Sequence, residues 1–154
     1  MQRIFLVLLI SIFFSCESKN VIFDDSDKLE SFIKVKTGSS LNDSRTNSLL
    51  IILQNEDCIC TDPDMQLTKE LFESEKFRTF KKILIVNNRN HKVFKKISKR
   101  TMENLVLIYN ENNDLLSAGY LALTDRVIRY EKGNCSYYGD LHTKKPAVVK
   151  TELL

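Results

Sequence analysis

Two short, wholly apolar runs constrain the fold of this chain more than any other feature. Residues 49–53 read LLIIL and residues 83–86 read ILIV. Runs this short and this uniformly apolar predict strands that are buried on both faces of a sheet. Between them, TDPDMQLTKELFESEKF has apolar residues at helical spacing, with Asp62 as the expected cap and Pro63 in the first turn. The strand–helix–strand order predicts a right-handed parallel crossover of roughly thirty residues.

The remaining patterns predict the other elements of an α/β domain. SDKLESFIK, 26–34, predicts a short helix, and HKVFKKISKR, 91–100, predicts a short basic helix. LVLIY, 105–109, predicts a strand antiparallel to the first two, which forms a hairpin with a strand over 115–123 through the turn 110–114. TDRVIRYEKG, 124–133, predicts a last helix that ends at Gly133.

The first sixteen residues indicate where the protein resides. Arg3 is followed by an apolar run from Ile4 to Phe14, broken only by Ser11, which is typical of a secretory signal and too short to span a bilayer. The run ends in FFSC, which resembles the lipobox of bacterial lipoproteins. The resemblance implies cleavage before Cys16 and lipidation of that cysteine. The alternative is an ordinary signal peptide with a chance cysteine.

These patterns divide the chain into four parts. Residues 1–15 are the expected signal peptide, 16–25 a lipidated tether, 26–133 the folded domain, and 134–154 a C-terminal extension that is either an added strand (AVVK) or a tether to a partner. Lipid on Cys16 would hold the protein on a membrane of the bacterial cell envelope, facing the periplasm or the cell exterior.

Composition and charge exclude several function classes. The 154-residue chain has 28% charged residues, four glycines and two prolines, which is a globular composition. Signal cleavage removes one basic residue and no acidic one, so the net charge falls from +3 to +2. A charge this small indicates no nucleic-acid partner. There is no glycine-rich phosphate loop, and no cofactor is predicted.

The cysteines carry the candidate chemistry. With Cys16 lipidated, Cys58, Cys60 and Cys135 remain, in a compartment that permits disulfides. Because three is an odd number, at most one intramolecular pair forms. Cys58 and Cys60 lie directly after the first buried run, in QNEDCICTD.

Placed between a central strand and a crossover helix, this pair makes the chain resemble the thioredoxin-like proteins. The residues that carry the resemblance are LLIILQNEDCIC with the long helix after it, then KKILIVNN, then ENLVLIYNENNDLLSAGYL. The resemblance implies a thioredoxin-like α/β fold with a central mixed sheet and flanking helices. It also implies a redox site in which Cys58 attacks and Cys60 resolves, and partners that are thiols or disulfides of exported proteins.

The sequence departs from that family in three ways. The spacing is C-x-C, so a local disulfide needs a tight turn and the strained ring favours an oxidant or isomerase over a reductant. The pair has acidic neighbours, Glu56, Asp57, Asp62 and Asp64, which disfavour a thiolate. The family has a cis-proline before its hairpin strand, and the matching position, predicted near Glu103 or Asn104, has none.

Four interpretations of the pair remain open. Cys58 and Cys60 form a redox disulfide, or they are two small apolar side chains, or one of them forms a structural disulfide with Cys135. In the fourth, both bind a soft metal such as copper together with His142 or His91. Two functions follow: a membrane-tethered thiol–disulfide oxidoreductase, or a non-catalytic thioredoxin-like module that binds a protein partner or a metal.

Overall fold

The computed structural model describes residues 21, 23–54, 61–120 and 124–154. These residues form a five-stranded mixed sheet with the order β3-β2-β1-β4-β5. The strands are β1 (Ser48–Leu53), β2 (Lys81–Val86), β3 (Leu105–Tyr109), β4 (Arg126–Glu131) and β5 (Asn134–Asp140). The α-helices are α1 (Ser26–Thr37), α2 (Thr61–Glu73), α3 (Lys99–Glu103), α4 (Asp114–Ser117) and α5 (Pro146–Leu153). The predicted α/β class, with a central mixed sheet between helices, is confirmed.

Strand β1 is central, and all six of its residues are buried. Leu49, Ile51 and Leu53 belong to the core on the face covered by α2 and α5. Leu50 and Ile52 belong to the core on the opposite face, covered by α1. Because side chains of a strand alternate between faces, a strand with both faces covered must be apolar throughout, as this one is.

The predicted parallel pairing of the strands on either side of the crossover helix is confirmed. Strands β1 and β2 pair in parallel, with Leu50 opposite Ile83 and Leu53 opposite Val86. Helix α2 connects them and begins at Thr61. The prediction that Asp62 caps this helix was wrong, since Asp62 and Pro63 both lie inside its first turn. The predicted helix over 26–34 is also confirmed as α1. The predicted basic helix over 91–100 is instead two short pieces, a 3₁₀ turn over Lys92–Lys95 and the start of α3.

The predicted direction of strand 105–109 was wrong. Strand β3 runs parallel to β2, with Lys82 opposite Leu105 and Val86 opposite Tyr109. A parallel neighbour requires the chain to return to the end of the sheet at which β2 begins, and residues 87–104 are long enough to do so. The predicted hairpin partner over 115–123 was also wrong, since Asp114–Ser117 is the helical turn α4.

The hairpin of this fold lies later in the chain. Residues predicted as a helix over 124–133 form strand β4, which pairs antiparallel with β1 and with β5. Val127 and Ile128 are adjacent and both buried, because β4 has both faces covered. Two consecutive apolar residues also fit one face of a helix, so periodicity did not separate the two structures.

Residues after 133 contribute to the sheet and to its covering layer. Strand β5 pairs with β4 over its length, and α5 buries Val149 and Leu153 in the core shared with α2. The segment AVVK therefore lies in a helix, and the added strand is the preceding segment. Within the described residues, no helix combines the length and hydropathy that crossing a bilayer requires.

Candidate active site at the end of the central strand

The candidate site lies where β1 ends and α2 begins. Residues 55–60, which carry Cys58 and Cys60, fall outside the described residues, as does the predicted lipidation site Cys16. The residues on either side are described: Gln54 follows β1, and Thr61 is the first residue of α2. In the chain, Cys60 therefore directly precedes a thirteen-residue helix, whose N-terminal dipole favours a thiolate over a thiol.

The backbone of Gln54 is held on both sides. Its N–H donates to Oδ1 of Asp125 at 2.7 Å, and its carbonyl oxygen accepts from Nδ2 of Asn87 at 3.0 Å. Asp125 directly precedes β4, and Asn87 directly follows β2. The neighbours of β1 on both sides thus fix the point at which the cysteine segment leaves the sheet.

A second carboxyl group, that of Asp64 in the first turn of α2, contacts the carboxyl group of Asp125. Asp64 is 9% exposed and Asp125 is 3% exposed. Burial, the nearby charge of Asp125 and a hydrogen bond with Asp125 raise the pKa of Asp64 to about 7. The helix N-terminus alone favours an ionised carboxylate, but removal from water beside a second carboxylate outweighs that effect. The two carboxyl groups therefore retain a proton near neutral pH.

The remaining described acid of this turn is neutralised in another way. Asp62 is 70% exposed, and its Oδ1 lies 2.8 Å from Nζ of Lys96. Of the four acidic neighbours counted in the sequence, one is therefore paired with a cation and one is protonated for part of the time at pH 7. The sequence argument that acidic neighbours disfavour a thiolate is weaker for this folded chain than for an extended one.

A groove of about 450 Å³ opens beside the carboxyl pair. Its walls are the first turn of α2, the residues before β4 and the loop between β5 and α5. His142, Lys144 and Lys145 line it together with both carboxyl groups. The groove therefore places cationic and titratable side chains of the C-terminal segment beside the start of α2.

The position that matches the family's proline lies elsewhere than predicted. The strand that runs antiparallel beside β1 is β4, so the matching residues are Thr124 and Asp125 and not Glu103 or Asn104. Neither position has a proline, and no cis peptide bond occurs among the residues that the structure describes. Here a buried carboxylate, that of Asp125, lies beside Gln54.

Cys135 lies at the other end of the sheet. It pairs with Tyr130, which is opposite Ser48, the first residue of β1. A six-residue strand spans about 20 Å, so Cys135 lies about one strand length from the end of β1 that leads to Cys58. Cys135 is a free thiol, 5% exposed, and burial raises its pKa to about 11. The alternative of a structural disulfide with Cys135 is therefore wrong for this structure.

The two histidines differ in position. His91 is buried, and its Nδ1 accepts a hydrogen bond from the N–H of Val93 at 3.2 Å, as the cap of a 3₁₀ turn. His142 lines the groove beside Asp64, a proximity that no local pattern predicted. Among the described residues, no group of three or more His, Cys, Asp or Glu side chains is arranged to bind a metal ion.

Comparison with known proteins gives matches only among solved structures; no family model and no curated protein matches this chain. A secreted disulfide oxidoreductase of Mycobacterium tuberculosis, homologous to E. coli DsbE, superposes with a TM-score of 0.51 at 6% identity, over 72% of this chain and 81% of that one. The fold is thioredoxin-like. The thioredoxin domain of a Bacteroides vulgatus thiol-disulfide oxidoreductase matches with a TM-score of 0.45 at 16% identity, over 75% of this chain and 86% of that one.

The thioredoxin-like fold explains why the sequence indicated the cysteine pair of the site but not the buried carboxylate beside it. The pair Cys58 and Cys60 was found because it follows a recognisable buried strand. Asp125 was missed because it lies 61 residues after Asp64 and was assigned to a helix. The available signal was the acidic residue just before RVIRYE, and it became informative only once that segment was known to be the strand beside β1.

Proposed function

We propose that this protein is a thiol–disulfide oxidoreductase or isomerase that acts on exported proteins. The observation that carries the proposal is the position of the C-x-C segment, which joins the end of the central strand to the crossover helix of a thioredoxin-like domain. The similar Mycobacterium tuberculosis structure is a secreted disulfide oxidoreductase, which supports a thiol-exchange role outside the cytoplasm.

In the proposed reaction the oxidised protein carries a Cys58–Cys60 disulfide. A substrate thiolate attacks the sulfur of Cys58 and forms a mixed disulfide, and Cys60 leaves as a thiolate. A second substrate thiolate then attacks the substrate sulfur of that bond. The substrate gains a disulfide, and the protein is left with two thiols after a two-electron reduction. In the isomerase direction, the thiolate of Cys58 attacks a substrate disulfide, and Cys60 releases the enzyme if exchange stalls.

Alkylation mass spectrometry across a glutathione redox series tests this proposal. Cys58 and Cys60 are expected to change from the disulfide to the dithiol together, and Cys58→Ser is expected to abolish insulin reduction and disulfide isomerisation. The matched control is Cys135→Ser, which removes a buried thiol at the opposite end of the sheet and is expected to leave both activities unchanged. Full activity in Cys58→Ser would contradict the assignment.

The second candidate is a non-catalytic module that binds a protein partner or a soft metal such as copper. The observation that favours it is Asp125 at the position where the family has its substrate-guiding proline. If the redox series shows no joint titration of the two cysteines, equilibrium dialysis with Cu(I) in the presence and absence of Cys58→Ser separates metal binding from partner binding.

We further propose that the protein is tethered to a membrane of the bacterial cell envelope through lipid on Cys16. The support is FFSC after an eleven-residue apolar run. Cys16→Ala is expected to abolish labelling with a palmitate analogue and to release the protein from the membrane fraction, while Cys135→Ser labels like wild type. Labelling of Cys16→Ala at the wild-type level would overturn the lipoprotein assignment.

A further inference from the structure

The two ends of the cysteine segment meet at one carboxyl pair. Asp125 accepts the N–H of Gln54, the residue that precedes the segment, and contacts Asp64, four residues after Cys60. A single buried side chain thus joins the end of β1 to the first turn of α2. The path along the chain between these ends contains Cys58 and Cys60.

We infer that Asp64 and Asp125 are positioning residues which form a proton-dependent latch across the ends of the segment carrying Cys58 and Cys60. With one proton between them, Asp64 and Asp125 hydrogen-bond each other and Asp125 still accepts the N–H of Gln54. Without that proton, two adjacent buried negative charges repel each other and the connection weakens. The hydrogen bonding and the charge at both ends of the segment therefore change with pH near neutrality. The consequence for thiol chemistry rests on the proposed function.

Most of the described charged groups around the pair are bound to other partners. Lys144 and Lys145 line the groove, but Nζ of Lys144 binds Glu152 at 2.9 Å. Arg126 follows Asp125, and its guanidinium binds Oδ1 of Asp140 at 2.7 Å and the Asp125 carbonyl oxygen at 3.1 Å. Lys96, the residue after the 3₁₀ turn Lys92–Lys95, binds Asp62.

His142 lines the same groove, and its backbone N–H donates to Oδ1 of Asp140. A His142→Gln variant therefore accompanies every titration, so that a change caused by the imidazole is recognised.

Nuclear magnetic resonance of the wild-type chain tests the latch directly. The ¹³C side-chain signal of Asp64 and the backbone amide signal of Gln54 are expected to titrate together with a midpoint near pH 7. In Asp64→Asn the Gln54 titration is expected to disappear, whereas in His142→Gln it persists. A Gln54 amide that is unchanged between pH 5.5 and 8.5 in the wild-type chain overturns the inference, whether or not any variant folds.

Thiol alkylation tests the consequence for the cysteines. Iodoacetamide rates at Cys58 and Cys60 are measured by peptide-resolved mass spectrometry on the reduced full-length chain at pH 6 and pH 8. Asp64→Asn carries the same charge as the singly protonated pair at pH 6 and one negative charge fewer at pH 8. The ratio of the variant rate to the wild-type rate is expected to be about 1 at pH 6. At pH 8 it is expected to be about 2 to 4, because the lost negative charge favours the thiolate.

The matched control is Asp62→Asn, which removes an exposed carboxylate from the same helical turn. Its rate ratio is expected to be equal at the two pH values. A ratio for Asp64→Asn that does not change with pH contradicts the effect on the thiols. If the Gln54 titration is present but the cysteines never exchange disulfides, the latch stands and the proposed oxidoreductase function fails.

Discussion

Asp64 shows how environment decides the protonation of a single residue. In a first helical turn exposed to water, a carboxylate is stabilised by the helix dipole. Here the side chain is 9% exposed and lies against Asp125, and its pKa is raised from 3.8 to about 7. The same burial that keeps a proton on Asp64 makes the folded protein's stability depend on pH.

The free energy of unfolding is expected to fall as pH rises from about 4 to 7. In that range the folded chain binds a proton on Asp64 that the unfolded chain, with its ordinary pKa of 3.8, has released. Above pH 7 neither state holds the proton, and the loss is complete. Asp64→Asn removes this dependence, so its stability relative to wild type should increase between pH 4 and pH 7 by on the order of 1 to 3 kcal/mol.

Urea denaturation at pH 4.5 and pH 8 measures this difference. Asp62→Asn is the control, because it changes an exposed residue in the same turn and should shift stability by a similar small amount at both pH values. A difference between Asp64→Asn and wild type that is the same at the two pH values would show that Asp64 does not retain its proton.

At the scale of elements, the β4–β5 hairpin depends on one glycine. Gly133 has φ +80°, and an added Cβ would lie 2.5 Å from the carbonyl oxygen of Asn42. The loop containing Asn42 packs against this turn, and the N–H of Lys132 also donates to Oδ1 of Asn47 at 3.0 Å. Gly133 was predicted to stop a helix. Both that role and a tight turn between strands require a left-handed backbone, so the residue type did not decide between them.

Gly133→Ala is expected to lower the free energy of unfolding by about 2 to 4 kcal/mol, from left-handed strain together with the contact to Asn42. Gly38→Ala is the matched control: Gly38 has φ +70° but nothing within 4 Å of its added Cβ. It should lose only about 1 kcal/mol. Thermal denaturation of both variants measures the difference, and equal losses would mean that the contact with Asn42 contributes nothing.

At the scale of the whole molecule, the C-terminal residues complete the core. Strand β5 pairs along the full length of β4, and the fully buried Val149 and Leu153 of α5 pack in the core that includes α2. Residues predicted as an extension therefore shield one edge of β4 and part of one face of the sheet.

A chain that ends at Gly133 is expected not to fold cooperatively, because β4 loses its partner and α2 loses part of its covering layer. A chain that ends at Lys145 keeps β5 and is expected to fold with a lowered melting temperature, since it lacks only the buried side chains of α5. Circular dichroism melts of both truncations test this. A cooperative, wild-type-like melt for the shorter chain would show that 26–133 suffices as a domain.

The sequence alone determined the elements whose patterns are local. The runs at 49–53 and 83–86 predicted buried strands because they are short, uniformly apolar and rich in β-branched residues, and the segment between them predicted a helix because its apolar residues recur at helical spacing. Two features of the protein depended on the tertiary structure. RVIRYE became strand β4 because its neighbours β1 and β5 cover it, and Asp64 met Asp125 because β4 lies beside β1. Contacts between residues so far apart in the chain depend on the order of strands in the sheet, which no local pattern specifies.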